Sequence, residues 1–117
     1  HDPVRLPLKP LAVTYDRIEC HICHIDRFGN LVTDLDQPTF EAWASRNGVR
    51  AEEVLIRFQR HTIRGISQAY GEKKRGEFLA VFDGYGRLEI AATGGHAASI
   101  TGLGITDTIQ VLAGGID

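Results

Sequence analysis

Two thiols and two imidazoles crowd into five residues, Cys20-His21-Ile22-Cys23-His24. As a string this is Cys-x-x-Cys-His, the pattern by which c-type haem is attached. That chemistry needs both thiols and the following imidazole to converge on one haem. The segment from Arg17 to Asp26 instead alternates like a strand, with Ile18, Cys20, Ile22 and His24 on one face and Glu19, His21, Cys23 and Ile25 on the other. Cys20 and Cys23 then point to opposite sides. The chain also has no methionine to serve as a second axial ligand. A structural zinc site wants four ligands, and no second Cys-x-x-Cys exists. His21 or His24 could join His61 or His96, but no spacing requires it. The reading left is Cys20 packed as a small hydrophobe, with reduced thiols. No Ser-His-Asp or Cys-His spacing marks a nucleophile. The run Lys73-Lys74-Arg75 after Glu72 reads as a solvated loop tip, with a phosphate contact as the alternative. The clusters Gly84-Tyr85-Gly86, Gly94-Gly95 and Gly102-Leu103-Gly104 fit neither Gly-x-Gly-x-x-Gly nor a Walker loop. They read as turns. Gly94-Gly95, ahead of a possible short helix, is where backbone N–H groups could approach a ligand.

The elements that must position these groups are short. Residues 1–10 carry three prolines and read as an extended linker. Residues 11–15 make a weak strand. The strand from Arg17 to Asp26 turns through Asp26-Arg27-Phe28-Gly29-Asn30 into Leu31 to Leu35, a hairpin whose Gly and Asn tolerate positive φ. A helix follows, with Asp36 as its cap, Pro38 in its first turn, Phe40, Trp43 and Ala44 on one face, and Asn47-Gly48 as its stop. A strand from Val54 to about Ile63 comes next. The stretch from Gly65 to Gly76 is a loop holding Tyr70. Phe78 to Phe82 and Arg87 to Ala92 are strands joined by a tight turn at residues 83–86. A short helix opens between Thr93 and Ser99, and Thr108 to Leu112 is the last strand. Six or seven short strands with turn signals between them predict a mostly all-β fold, a small antiparallel β-barrel with one or two short helices.

Composition narrows the function classes. A chain of 117 residues suits one domain. Hydrophobic residues at 43% and charged residues at 24% are ordinary globular usage, which argues against a fibrous or disordered chain. A net charge of -2 supplies no basic surface for nucleic acid, so no nucleic-acid partner is expected. No apolar run is long enough to span a bilayer, so no membrane partner is expected either. The opening residues from His1 to Arg5 contain no apolar core of a signal peptide, which with the reduced thiols leads to an expected cytoplasmic location. The lack of an initiator methionine and the proline-rich start suggest a piece of something larger. Residues 1–16 are then a linker from a missing N-terminal α/β domain plus a first strand, and residues 17–117 a C-terminal barrel.

Two stretches go further. The run from His24 through Ile25-Asp26-Arg27-Phe28-Gly29-Asn30-Leu31-Val32-Thr33 to Asp34 resembles a signature of the S-adenosylmethionine (SAM) hydrolase family. That family, also called SAM hydroxide adenosyltransferases, includes the fluorinases, and the signature opens its C-terminal domain. The strand Gly86-Arg87-Leu88-Glu89-Ile90-Ala91, followed by Gly95-His96-Ala97-Ala98, is similar to the family's second signature. Between them, Tyr70 ahead of Gly76-Glu77 resembles the family's aromatic residue before a Gly-Glu pair. The resemblance runs from about Ile18 to Leu112.

It implies a two-domain subunit. An N-terminal α/β domain carries the catalytic Asp, and a C-terminal barrel supplies much of the adenosine pocket. Subunits form trimers, and each site lies between one subunit's N-domain and its neighbour's C-domain. The reaction is displacement at C5′ of SAM, with methionine leaving as a neutral thioether; SAM is the substrate and no cofactor is implied. No catalytic residue would lie in this stretch, which alone would be inactive. Carried over, Phe28 would pack on the adenosine, Asn30 would bond the adenine edge, and Tyr70 would stack on the adenine. Asp26 would pair with the methionine ammonium. Backbone around Gly94, Gly95 and Ala97 would reach the adenine edge. Gly84 and Tyr85 stand where the family often has the serine, and the fluorinases the arginine, that hold the methionine carboxylate. Val32 replaces a fluorinase tryptophan, which favours the hydrolase branch. Thr33-Asp34 stands for the usual Thr-Asn, and Gly95-His96 for the commoner Gly-Asn or Gly-Ser. The expectation is the adenosine-binding half of a SAM hydrolase-like enzyme. The alternative is a stand-alone barrel that binds a nucleoside or a partner without catalysis. Read from the residues alone, Phe28 and Tyr70 would be core packing, and Asp26 and Asn30 turn caps.

Overall fold

Period-two burial builds the sheet. The computed structural model of the protein describes residues 11–67, 78–93 and 96–114. Its spine is strand β2 (Arg17–Ile25), whose Ile18, Cys20 and Ile22 are fully buried. The first half of β2 pairs antiparallel with β8 (Thr108–Leu112), from Arg17 opposite Leu112 to His21 opposite Thr108. Along its other edge lies β1 (Ala12–Val13). The second half pairs with β3 (Leu31–Asp36), which buries Leu31, Thr33 and Leu35 on alternate positions. Strands β4 (Leu55–Phe58), β5 (His61–Arg64), β6 (Phe78–Phe82) and β7 (Arg87–Ala92) complete the order β5-β4-β8-β2-β3-β7-β6 among the described residues. The two ends of that order nearly meet. Ser67, just past β5, bridges Val81 and donates its N–H to the Ala80 carbonyl at 2.7 Å, while the rings of His61 and Phe78 sit 4.7 Å apart. The result is the small, mostly antiparallel β-barrel that the turn spacing predicts.

Helix α1 (Gln37–Asn47) closes one flank. Asp36 Oδ1 accepts the Thr39 N–H at 2.8 Å, Pro38 fills the first turn, and Gly48 ends the helix in the left-handed region at φ 65°. The Thr39 bond also holds the Asp36 carboxyl below its usual range. Phe40, Trp43 and Ala44 face the barrel, and Trp43 Nε1 donates to the Thr14 carbonyl at 3.1 Å. A second helix, α2 (Ala97–Thr101), covers the barrel near the end of β7.

Two expectations need correction. The single strand from Val54 to Ile63 is a hairpin: β4 and β5 fold back with Phe58 opposite His61 across Gln59-Arg60. Gln59 takes φ 53°, and its amide donates to the Thr101 carbonyl at 2.8 Å, so a tertiary bond sustains a turn that no Gly or Asn announces. The alternation of β2 does not hold to its end. A register shift between Ile22 and His24 changes the phase, so His24 is exposed and Ile25 packs against the core, the reverse of the expected faces. Among the described residues the barrel path itself has seven strands, within the expected six or seven, and the two-residue β1 pairs with β2 off that path. The linker at residues 1–10 and the loop tip with Lys73, Lys74 and Arg75 lie outside the described residues.

Candidate ligand-binding site

The segment from Asp26 to Asn30 joins β2 to β3 and is held by one carboxylate. Asp26 Oδ1 accepts the N–H groups of Phe28 and Asn30, both at 2.9 Å, and Oδ2 accepts from Asn30 Nδ2 at 3.2 Å. The main chain adds Gly29 N–H to the Asp26 carbonyl (2.9 Å) and Asp26 N–H to the Asn30 carbonyl (3.1 Å). Asp26 and Asn30 are therefore turn caps, as their types allow, and the same bonds fix the direction of both side chains. Phe28 is not core packing. It is 62% exposed, and the Arg27 guanidinium lies 5.1 Å from its ring centroid.

Helix α2 abuts this loop. Ala98 donates its N–H to the Gly29 carbonyl at 2.9 Å. Gly29 adopts φ 82°, and a Cβ there would fall inside the His96 imidazole, so the ring rests on the glycine backbone. His96 caps α2. Its Nδ1 accepts the Ser99 N–H at 3.3 Å and lies 2.9 Å from the Ser99 hydroxyl. Ala97, the first residue of α2, is fully buried. The loop before β8 reaches the same end of the barrel, with Thr106 N–H on the Ile22 carbonyl at 2.8 Å. Ile100 and Ile105 join Phe28 there as exposed apolar side chains.

The structure thus brings together Asp26, Phe28, Asn30 and Ala97, and it does not bring Gly84 and Tyr85 to them. The turn at residues 83–86 lies at the far end of β3. Leu31 faces Ile90 and Asp36 faces Arg87, while Gln37 N–H bonds the Gly86 carbonyl at 2.8 Å. Five residue steps of strand put about 16 Å between the two ends. Tyr85 is 94% exposed there, and Asp83 Oδ1 holds the turn through the N–H groups of Tyr85 (2.9 Å) and Arg87 (3.0 Å). Tyr70, Gly94 and Gly95 lie outside the described residues. Three contributors to this barrel end were not singled out from the sequence: Arg27 against the Phe28 ring, and the exposed Ile100 and Ile105. Arg27 sits beside Phe28 in the chain and was readable; the two isoleucines are assembled only by the fold.

The Cys-x-x-Cys-His string is dispersed. Cys20 is buried and its thiol donates to the Ile109 carbonyl at 3.3 Å; burial, helped by the negative charge of Asp34, pushes it up to about 12. Cys23 lies half-exposed with Arg87 Nη1 at 3.7 Å, and burial raises its thiol less. His21 is buried. Its N–H reaches Asp34 Oδ1 at 2.7 Å and its Nδ1 lies 3.4 Å from Oδ2, so Asp34 fills the gap along β2 between β1 and β3. Among the described residues, no three His, Cys, Asp or Glu side chains gather as metal ligands would.

Fold and site together define a class: a small barrel that offers aromatic, amide and carboxylate groups at one end. The chain belongs to the SAM hydroxide adenosyltransferase C-terminal domain family, whose model matches residues 20–110. In three dimensions it is similar to an uncharacterized conserved protein from Thermotoga maritima, with a TM-score of 0.72 and 25% identity over 92% of this chain and 40% of that one. It is also similar to a conserved hypothetical protein from Thermus thermophilus, with a TM-score of 0.65 and 26% identity over 93% of this chain and 39% of that one. The chain thus spans about two-fifths of the length of these solved structures. Comparison with curated proteins gives no significant match.

Proposed function

We propose that this domain is the nucleoside-holding half of an enzyme that converts SAM and water to adenosine and methionine by displacement at C5′. The observation that carries the reading is the loop from Asp26 to Asn30, with Phe28 turned outward between two anchored polar side chains. The family membership supports SAM as the substrate class. Arg27 lies against the Phe28 ring, and the exposed remainder of that ring suits stacking on a purine. Asn30 Nδ2 is committed to Asp26, so the amide presents its oxygen, an acceptor matched to the exocyclic amine of adenine. Asp26 would meet the methionine ammonium with a carboxylate already oriented by three N–H bonds.

The chemistry asks little of this half. A sulfonium is a cationic leaving group that departs as a neutral thioether, so no general acid is needed. The barrel's task is to hold C5′ in line with the nucleophile and to exclude bulk water from the sulfonium. The nucleophile-positioning groups would come from an N-terminal α/β domain, and the site would lie against a neighbouring subunit's domain in a trimer. The test is SAM turnover by the full-length protein, with adenosine and methionine quantified. Equimolar products, and a several-fold higher KM in Phe28→Ala, are expected. Absence of turnover with intact folding overturns the enzymatic reading. A second reading is a nucleoside-binding or interaction module without catalysis, because Gly84 and Tyr85, which by resemblance would hold the methionine carboxylate, lie at the other end of β3 from Asp26. Adenosine binding without turnover would select it.

A further inference from the structure

The geometry points to His96 as a positioning residue that locks the loop of Phe28 and Asn30 to helix α2 only while its imidazole is neutral. This inference rests on the proposed adenosine site and adds a regulation to it. Three observations meet at one ring. His96 Nδ1 is the acceptor for the Ser99 N–H at 3.3 Å, the capping bond of α2. The same ring rests on Gly29, where a Cβ would fall inside it. Two residues after His96, Ala98 N–H bonds the Gly29 carbonyl at 2.9 Å. The cap of α2 and the platform under the loop are thus one side chain.

An acceptor at Nδ1 requires the proton on Nε2. A second proton at Nδ1 removes the acceptor and places a cation at a helix N-terminus, where the peptide dipoles disfavour it. Ser99 Oγ, 2.9 Å away, can then accept from Nδ1–H, but the Ser99 backbone N–H loses its partner. Imidazole is the side chain whose ordinary titration falls between pH 5 and 8. The other charged groups on the elements packed here are few. The loop carries Asp26, whose carboxylate serves its own turn, and Arg27, which lies over Phe28. Helix α2 carries none. β7, which leads toward α2, carries Arg87 and Glu89, and the loop before β8 carries Asp107, whose carboxylate accepts the Gly104 N–H at 2.8 Å. Asparagine or serine at this position caps a helix without titrating.

The test compares wild type, His96→Asn and His96→Ala in the full chain, with two readouts. In the protein without ligand, amide hydrogen exchange of Ala98 and Ser99, corrected for the intrinsic pH dependence of exchange, follows the lock itself. Adenosine titration follows its consequence. Protection at Ser99 in wild type should fall roughly fivefold between pH 7.5 and 5, the equivalent of one lost helix cap. It should stay constant in His96→Asn and be low at both values in His96→Ala. Adenosine affinity should follow the same three patterns. Wild-type protection that does not change across this range overturns the inference, as does a pH dependence that survives in His96→Asn. If exchange behaves as expected while no variant binds adenosine, the lock stands and the proposed ligand is wrong.

Discussion

Replacing Gly29 by alanine tests the join between loop and helix most sharply. Two costs arise at that position. At φ 82° an alanine pays about 1–2 kcal/mol for the left-handed conformation. Its Cβ also claims the space of the His96 ring, which is exposed and so swings away, taking the cap of α2 with it. A lost cap costs about 1 kcal/mol. The sum, about 2–3 kcal/mol, should lower the thermal midpoint by roughly 10 °C in a domain of this size. The assay is a double-mutant cycle of denaturant midpoints with His96→Ala. Removing the imidazole first removes the clash, so in that background Gly29→Ala should cost only the conformational part. The two changes should then fall short of additivity by about 1 kcal/mol. Costs that add within experimental error would show that the ring does not rest on Gly29, and the account of how α2 holds the loop would fail.

Two further outcomes follow from the same geometry. In Asp26→Asn the new amide oxygen keeps the bonds from the Phe28 and Asn30 N–H groups, but its NH₂ now meets Asn30 Nδ2, a donor against a donor. Stability should fall by about 0.5–1.5 kcal/mol, and paired calorimetry should show SAM affinity falling about tenfold more than adenosine affinity; equal losses would take Asp26 out of the ammonium contact. Cys20 keeps its proton in the folded state to about 12, above its ordinary 9.0, so the unfolded chain loses that proton first as pH rises. Its contribution is fully present below pH 9 and should fall by up to about 1.4 kcal/mol per unit from there toward 12; denaturant midpoints at pH 8, 9 and 10 should show a slope that Cys20→Ala removes.

Much of the barrel could be read from the chain because its signals are local. Asp36, Pro38 and Gly48 bracket α1, and Asp83 with Gly86 marks the β6–β7 turn, so both elements fall where expected. What escaped depends on distant partners. The Gln59-Arg60 turn is sustained by the Thr101 carbonyl, 42 positions away. The phase change in β2 comes from how it pairs with β3, not from its own alternation. The site divides in the same way. Asp26, Phe28 and Asn30 lie in one turn and could be read together, whereas the contact of His96 with Gly29 joins two signatures far apart in sequence. Gly84 and Tyr85 belonged to the expected site by resemblance alone, and the register of β3 with β7 puts them at its other end.

The central claim is that the end of the barrel bearing Phe28 and Asn30 holds adenosine. The direct measurement is calorimetric titration of the full-length protein with adenosine, wild type beside Asn30→Ala. The account predicts binding by the wild type and a loss of about 1–3 kcal/mol in the variant, because the adenine edge is left without its partner. Adenosine binding that is unchanged by Asn30→Ala would contradict it.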